Sequence, residues 1–231
     1  MYGGKNMFES KYSKVLTVIL VIVIIAIIGL LGFLAYDYYQ NYMITNDTTD
    51  FVDNFQGEVM DVEPSDNNDD SQEVDENTTN PFDEIKDSNT GGSSQAKKSY
   101  KGFEVLGTME IPKTNFKYPV LAPNVTTKKL ETSVVFLYGN GLNQVGNSVI
   151  IGHNYRNGLF FSNNKKLSIG DKIYVTDNDG NKIEYTIYDK FETTPEDTSF
   201  YQRDTSGKPE ITLSTCTDDS KARLIIFARP E

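Results

Sequence analysis

Cysteine, histidine and tryptophan are almost missing from this chain of 231 residues, which has one cysteine, one histidine and no tryptophan. A single cysteine excludes an intramolecular disulfide. A structural zinc site usually takes four cysteine or histidine ligands, so such a site is implausible here. No P-loop or GxGxxG pattern occurs either. We therefore expect no metal and no other cofactor.

Positive charge is scarce overall, and the net charge of −11 argues against non-specific binding of nucleic acid. The imbalance belongs to one segment. Residues 37–98 hold 16 acidic residues and three lysines, whereas residues 99–231 hold 16 residues of each sign. The acidity therefore says little about what the C-terminal part binds.

One long hydrophobic run, Val15–Leu34, contains no charged residue. At about 1.5 Å per residue a helix of this length spans roughly 30 Å, the thickness of a bilayer's hydrocarbon core. Three lysines precede the run and no basic residue follows it until Lys86. The pattern predicts a cytoplasmic tail over 1–14, a single-pass anchor over 15–36 and an extracellular remainder. A cleaved signal peptide is the alternative, although its apolar part is usually shorter, about 7–15 residues.

The acidic segment that follows, residues 37–98, is rich in Asp, Glu, Asn, Thr and Ser and ends in a Gly/Ser joint. Such a composition cannot bury enough apolar surface to offset the entropy lost on ordering. We expect a disordered extracellular linker, extended by its own charge.

Residues 99–231 carry short strand patterns separated by turn residues, which predicts an all-β domain with short helices, closed as a barrel or sandwich. The polar segment Glu192–Pro209 is predicted as a long loop, and such loops are often functional. Asp177–Asn181 has carboxylate spacing like that of a calcium loop, but Tyr188 stands where the final Glu is needed, so a hairpin turn is favoured. About eight strands are expected, at Val105–Ile111, Phe116–Val120, Val134–Leu137, Ser148–His153, Lys172–Thr176, Lys182–Tyr188, Glu210–Cys216 and Ala222–Ala228.

The only cysteine, Cys216, ends the strand pattern ITLSTC on the same face as Thr212 and Ser214. His153 ends the apolar run SVIIGH, and Arg223 begins the last strand. Taken singly, each has an ordinary alternative: an inert buried cysteine, a structural histidine at a strand edge and a solvated arginine.

Together these three residues predict a nucleophilic cysteine site. A nearby cation stabilises the thiolate that a cysteine nucleophile needs. An imidazole can protonate a leaving amine, and an arginine can stabilise the oxyanion of a tetrahedral intermediate. His153 has to be the imidazole, because the chain has no other histidine.

The segments SVIIGHN and ITLSTCTDDSKARLIIFARP resemble the sortase family, whose signature is TLxTC followed by an arginine, with a histidine on an earlier strand. The resemblance covers roughly Gly102–Glu231. The GHN and TLSTC spellings look most like class B, whereas the short segment before TLSTC looks more like classes A and D. The implied fold is an eight-stranded sortase-type β-barrel over 99–231.

The resemblance implies a membrane-anchored cysteine transpeptidase at a Gram-positive cell surface. Cys216 would attack an LPxTG-like sorting signal of a secreted protein and form a thioester, and His153 and Arg223 would assist. The acceptor would be an amine of a cell-wall peptide or a pilin lysine. Ser214 and Thr215, beside the nucleophile, would line the substrate pocket.

Two other functions stay open from the sequence. One is a surface cysteine hydrolase, which would use water as the second nucleophile. The other is a non-catalytic, membrane-tethered β-barrel that binds surface ligands, and it predicts a buried, unreactive Cys216.

Overall fold

The structure is a computed structural model that describes residues 7–55 and 98–231, with side chains from residue 14 onward. One long helix precedes a set of strands with three short helical segments. The elements are α1 (Met7–Asn54), β1 (Ser99–Tyr100), β2 (Phe103–Ile111), η1 (Pro112–Thr114), β3 (Phe116–Leu121), α2 (Thr127–Thr132), β4 (Val134–Tyr138), β5 (Gly146–Ile151), η2 (Phe161–Lys166), β6 (Lys172–Asp177), β7 (Lys182–Thr193), β8 (Pro209–Cys216) and β9 (Arg223–Arg229).

Eight of the strands close into a barrel in the order β2-β3-β4-β5-β8-β9-β7-β6, and β6 returns to pair with β2. The two-residue β1 pairs with β2 only at its start. The β3–β4 and β5–β8 pairs are parallel, and all others in the barrel are antiparallel. The prediction of an eight-stranded all-β barrel with short helices is confirmed.

The alternating pattern of β8 explains how the barrel fills. Ile211 and Leu213 point into the core, whereas Thr212 and Ser214 lie on the opposite face. Apolar side chains from most of the strands meet inside, among them Met109, Ile111, Ile150, Val175, Tyr185 and Ile226. The core fixes the strand register, because a slip of one residue would turn these side chains to the outside.

The helix α1 is longer than the sequence predicted. The segment 37–54, predicted as disordered linker, is helical and lies against β3. The prediction was wrong there because Thr48, Val52 and Phe55, three or four residues apart, form one face that is buried on the barrel. The high acidic content of the whole segment outweighed these few regularly spaced positions in the prediction. The rest of the predicted linker, 56–97, lies outside the described residues.

Three further boundaries matter for the site. β5 ends at Ile151, so His153 lies two residues beyond the strand that was predicted to include it. β7 continues to Thr193, which shortens the predicted loop to 194–208. The predicted β6–β7 hairpin turn is present, and an Asp177 oxygen accepts hydrogen bonds from the backbone N–H groups of Asp179 and Asn181.

Candidate active site

The β8–β9 hairpin brings the thiol and the guanidinium together. Cys216 and Arg223 are directly paired across the two strands. A tight turn joins them, held by backbone hydrogen bonds from Thr217 to Ala222 and from Ser220 to Thr217. Arg223 Nη1 lies 3.2 Å from Cys216 Sγ. The hairpin thus places a positive charge beside the sulfur.

The parallel β5–β8 pair brings His153 beside the same strand end. On one side of His153, the Gly152 N–H donates to the Ser214 carbonyl at 3.3 Å. On the other side, the Asn154 amide donates to the Cys216 carbonyl at 3.0 Å. The backbone of His153 is therefore held next to Cys216 by bonds from both of its neighbours.

Gly152 is needed for this approach. A Cβ at this position would lie 2.8 Å from Val134 Cγ1 and 2.9 Å from Phe161 Cδ2, closer than side-chain carbons can come. Any larger residue would push the chain before His153 away from the barrel wall.

The imidazole of His153 is half-buried, and its ring centre lies 4.7 Å from that of Tyr155. Burial lowers the pKa of His153 below its ordinary value of 6.5, and the carboxylate of Glu131 opposes this effect. The neutral imidazole is consequently favoured at neutral pH. A group poised in this way can accept a proton and return it within one reaction cycle.

Two carboxylates follow Cys216 in sequence, but both bind other groups. Asp218 accepts from Lys165 Nζ at 2.6 Å and from the Asn154 amide at 2.9 Å. Asp219 accepts from the Thr217 hydroxyl at 2.7 Å. These hydrogen bonds hold the pKa of each carboxyl below its usual range, so both remain ionised. Cys216 itself is partly exposed and free, unlike the buried thiol that the binding-module alternative requires.

Asn154 is a site residue that the sequence reasoning quoted in GHN without giving it a role. Its amide bridges the carbonyl of Cys216 and the carboxylate of Asp218. It thereby ties the loop after His153 to the strand end that carries the nucleophile. Sequence reasoning could not find this role, because it depends on the parallel pairing of β5 with β8.

Ser214 and Thr215, predicted to line the substrate pocket, are 7% and 4% exposed. The Thr215 hydroxyl donates to the Gly152 carbonyl at 2.7 Å, so it helps to hold the His153 segment. A direct contact of either residue with substrate stays a prediction.

The loop 194–208 lies over an aromatic cluster on the outer face of β5, β8 and β9, where Val149, Phe200, Ile225 and Phe227 are buried together. Its tyrosine, Tyr201, stacks on Tyr138 with ring centres 5.6 Å apart. Burial raises the pKa of Tyr201, and the positive charge of Arg223 opposes that rise.

One largely covered arginine, Arg203, fixes this loop, and the sequence analysis did not identify it. Arg203 forms an ion pair with Glu210 at 2.9 Å, and the two side chains are 16% and 7% exposed. Its guanidinium also donates to the Tyr188 hydroxyl and to Asn147 Oδ1. Arg203 Cζ lies 3.7 Å from the ring centre of Phe227. The loop is therefore held in a fixed position against the face formed by β5, β8 and β9.

No metal site accompanies these residues. In the part of the chain that the structure describes, no three His, Cys, Asp or Glu side chains are grouped as metal ligands. The chemistry available at the site is that of a thiol, an imidazole and a guanidinium.

This arrangement can be compared with known proteins. Residues 109–231 match the family model described as Sortase domain. The chain belongs to the sortase family. The match covers the last three residues of β2 and all of β3 to β9, and hence every residue of the candidate site.

Individual sortases agree with this assignment. Sortase A of Bacillus anthracis is 34% identical over 126 residues, 53% of this chain and 58% of the relative. The chain thus spans less than two thirds of the length of that relative. The structure of a Clostridium perfringens sortase D5 transpeptidase is 27% identical, with a TM-score of 0.50 over 55% of this chain and 79% of that one. Sortase A of Corynebacterium diphtheriae is 29% identical, with a TM-score of 0.50 over 56% and 61%. These relatives are of classes A and D, and the likeness to class B stays a prediction.

Proposed function

We propose that this sortase is a membrane-anchored cysteine transpeptidase in which Cys216, His153 and Arg223 carry the reaction. The observation that supports this most directly is the contact of 3.2 Å between Arg223 Nη1 and Cys216 Sγ, together with the bonds that hold the His153 segment to the end of β8. A partly exposed thiol with a guanidinium at its side suits a nucleophile better than a structural cysteine.

The first step is acylation. The Cys216 thiolate attacks the Thr–Gly carbonyl of an LPxTG-like sorting signal, and a tetrahedral oxyanion forms. Arg223, a donor within reach of the sulfur, stabilises that oxyanion. The protonated form of His153 gives its proton to the departing glycine amine, so the C–N bond breaks, a thioester remains on Cys216 and His153 is left neutral.

The second step is transfer to an amine. His153, neutral after the first step, takes a proton from the incoming amine as it attacks the thioester carbonyl. The thiolate leaves, and a new amide bond joins the secreted protein to a cell-wall peptide or a pilin lysine. A lowered histidine pKa suits this half of the cycle, because the neutral imidazole is the form that accepts the proton.

The helix α1 supports the placement of this reaction at the cell membrane. Residues 14–40 are exposed along the helix, and its most apolar window has a mean hydropathy of 3.4 with none of its surface buried. We infer that this part crosses the bilayer once, with residues 1–14 cytoplasmic and the barrel extracellular.

A peptide-library assay tests the proposal. LPxTG-related peptides are incubated with the protein, with and without oligoglycine, and the products are weighed by mass spectrometry. We expect a thioester adduct on Cys216 and an amide product with oligoglycine. Cys216→Ala should abolish both, and His153→Ala and Arg223→Ala should lower turnover by at least about a hundredfold.

The matched control is Arg229→Ala, because Arg229 is an exposed arginine at the far end of the same strand as Arg223. It should retain near-normal turnover. Cleaved peptide without an amide product, even at high oligoglycine, would identify a hydrolase instead. The absence of any adduct on Cys216 across the library would refute the cysteine mechanism.

A further inference from the structure

The position at which the barrel first touches α1 sets its height above the membrane. Every described side chain from Lys14 to Gln40 is exposed, and Asn41 is the first that is partly covered. Asn41 lies seven residues beyond Leu34, the end of the uncharged run. At about 1.5 Å per residue this is about 10 Å along the helix axis.

The helix is fixed to the barrel at several levels beyond that point. At the lowest level, the Asn157 amide donates to Asn41 Oδ1 at 3.2 Å. Higher up, the Tyr100 hydroxyl donates to Asp47 at 2.8 Å, and Lys117 pairs with Asp53 at 2.6 Å. The barrel is therefore attached to a continuous helix, and the loop that carries Asn157 is its contact nearest the apolar run.

That loop comes at the outer edge of the lipid headgroups, about 10 Å beyond the apolar run. The polar layer on each side of a bilayer is about 5–8 Å thick, the difference between the whole bilayer and its hydrocarbon core. A helix tilt of about 20° lowers Asn157 slightly further. The exposed tyrosines Tyr36, Tyr38 and Tyr39 occupy the intervening turns, as is usual for an interfacial belt.

The side chains next to Asn157 suit this environment. Tyr155 is 43% exposed although its ring packs beside His153. The exposed guanidinium of Arg156 donates to the Ser220 hydroxyl, and its charge helps to lower the pKa of Asp218, whose carboxylate is paired with Lys165. A tyrosine and a guanidinium with donors to spare are groups that bind lipid phosphate at an interface.

We propose that the loop 154–158 is a membrane-contact surface in which Arg156 binds the phosphate of lipid headgroups and Tyr155 enters the headgroup layer. The inference rests on the proposed membrane anchoring. Because Asn154 also binds the Cys216 carbonyl, this contact holds the nucleophile at a set distance from the lipid. The helix α1 thus holds the barrel at a fixed height, and the loop after His153 is the part of the barrel that contacts the membrane.

The chain has no tryptophan, so a single introduced tryptophan reports its own depth. Three full-length variants are placed in phosphatidylcholine nanodiscs that contain a lipid with a nitroxide on its headgroup. Tyr155→Trp is the test. Tyr39→Trp, about 8 Å beyond Leu34, is the near reference, and Asp50→Trp, about 24 Å beyond it on an exposed side of α1, is the far reference.

We expect headgroup quenching at Tyr155→Trp to be at least half of that at Tyr39→Trp and several times that at Asp50→Trp. Adding Arg156→Gln to Tyr155→Trp should reduce the quenching at least twofold, whereas adding Arg229→Gln should not. Hydrogen exchange of the unaltered protein gives a reading without substitution: amides 154–158 should be slower in nanodiscs than in detergent.

Quenching at Tyr155→Trp no greater than at Asp50→Trp, with Tyr39→Trp strongly quenched, would overturn the contact and leave the anchor intact. Equal quenching with and without Arg156→Gln would overturn the phosphate contact. If Tyr39→Trp is itself not quenched, the membrane anchoring in the proposed function is wrong, and this inference is wrong with it.

Discussion

The ion pair between Arg203 and Glu210 gives a sharp test of how the loop 194–208 is held on the barrel. Arg203→Met keeps most of the apolar stem but removes the donors to Glu210, Tyr188 and Asn147. The Glu210 carboxylate, only 7% exposed, then loses its cation. Breaking a buried pair from one side costs about 3–5 kcal/mol of unfolding free energy.

That cost translates into a large change in melting temperature. With an unfolding entropy of about 2.1 cal/mol/K per residue over residues 99–231, a loss of 3–5 kcal/mol lowers Tm by about 10–18 °C. The assay is thermal unfolding followed by circular dichroism on residues 37–231, which keep the docked part of α1. Adding Glu210→Gln should recover part of the loss, because a buried neutral amide costs less than an unpaired carboxylate.

The matched control is Lys182→Met. Lys182 pairs with Glu110 at 2.7 Å, slightly closer than the Arg203 pair, but the two side chains are 46% and 25% exposed. An exposed pair contributes about 0–1 kcal/mol, so Tm should fall by less than about 4 °C. Similar shifts for the two variants, or a shift under about 4 °C for Arg203→Met, would refute the argument that burial makes this pair important.

Three further outcomes are expected. Arg223→Lys keeps a charge beside Cys216 but loses the forked donor, so kcat/KM should fall by about 10²-fold; unchanged kcat/KM would exclude an oxyanion role. The single histidine gives one imidazole Hε1 signal, which can be followed by NMR through a pH titration. The titration midpoint should lie below pH 6.5 because burial lowers the pKa of His153, and it should be lower still in Glu131→Gln, which removes the opposing charge. A midpoint at or above pH 6.5 would contradict the burial argument. Deleting residues 1–98 should lower the unfolding free energy by about 3–6 kcal/mol relative to deleting 1–36, because the buried Val52 and Phe55 are lost; equal Tm values would show that α1 does not stabilise the barrel.

The strands and the cysteine–arginine pair could be predicted because their signals are local. The alternation in β8 shows which side chains point inward, and the few residues between Cys216 and Arg223 allow little besides a hairpin. The turn at Asp177–Asn181 is equally local, since Asp177 binds the N–H groups of its own turn.

Other features depend on parts of the chain that are distant in sequence. The helical segment 41–54 is stabilised by Tyr100, Lys117 and the surface of β3, and no average over its acidic residues could reveal that. Arg203 becomes buried only when β5, β7, β8 and β9 are assembled around it. Asn154 needs the parallel β5–β8 register before its role can be recognised.

The two halves of the candidate site are joined by chain segments of very different length. Cys216 and Arg223 are only seven residues apart in the sequence. The segment that carries the imidazole is held to the same strand end by hydrogen bonds such as that from Thr215 to Gly152, which are 63 residues apart. Fraying where β5 ends would thus detach the imidazole and leave the sulfur beside its guanidinium. Such a protein would still react with alkylating reagents at the normal rate while turning over no peptide, so loss of catalysis and loss of thiol reactivity are separable events in this fold.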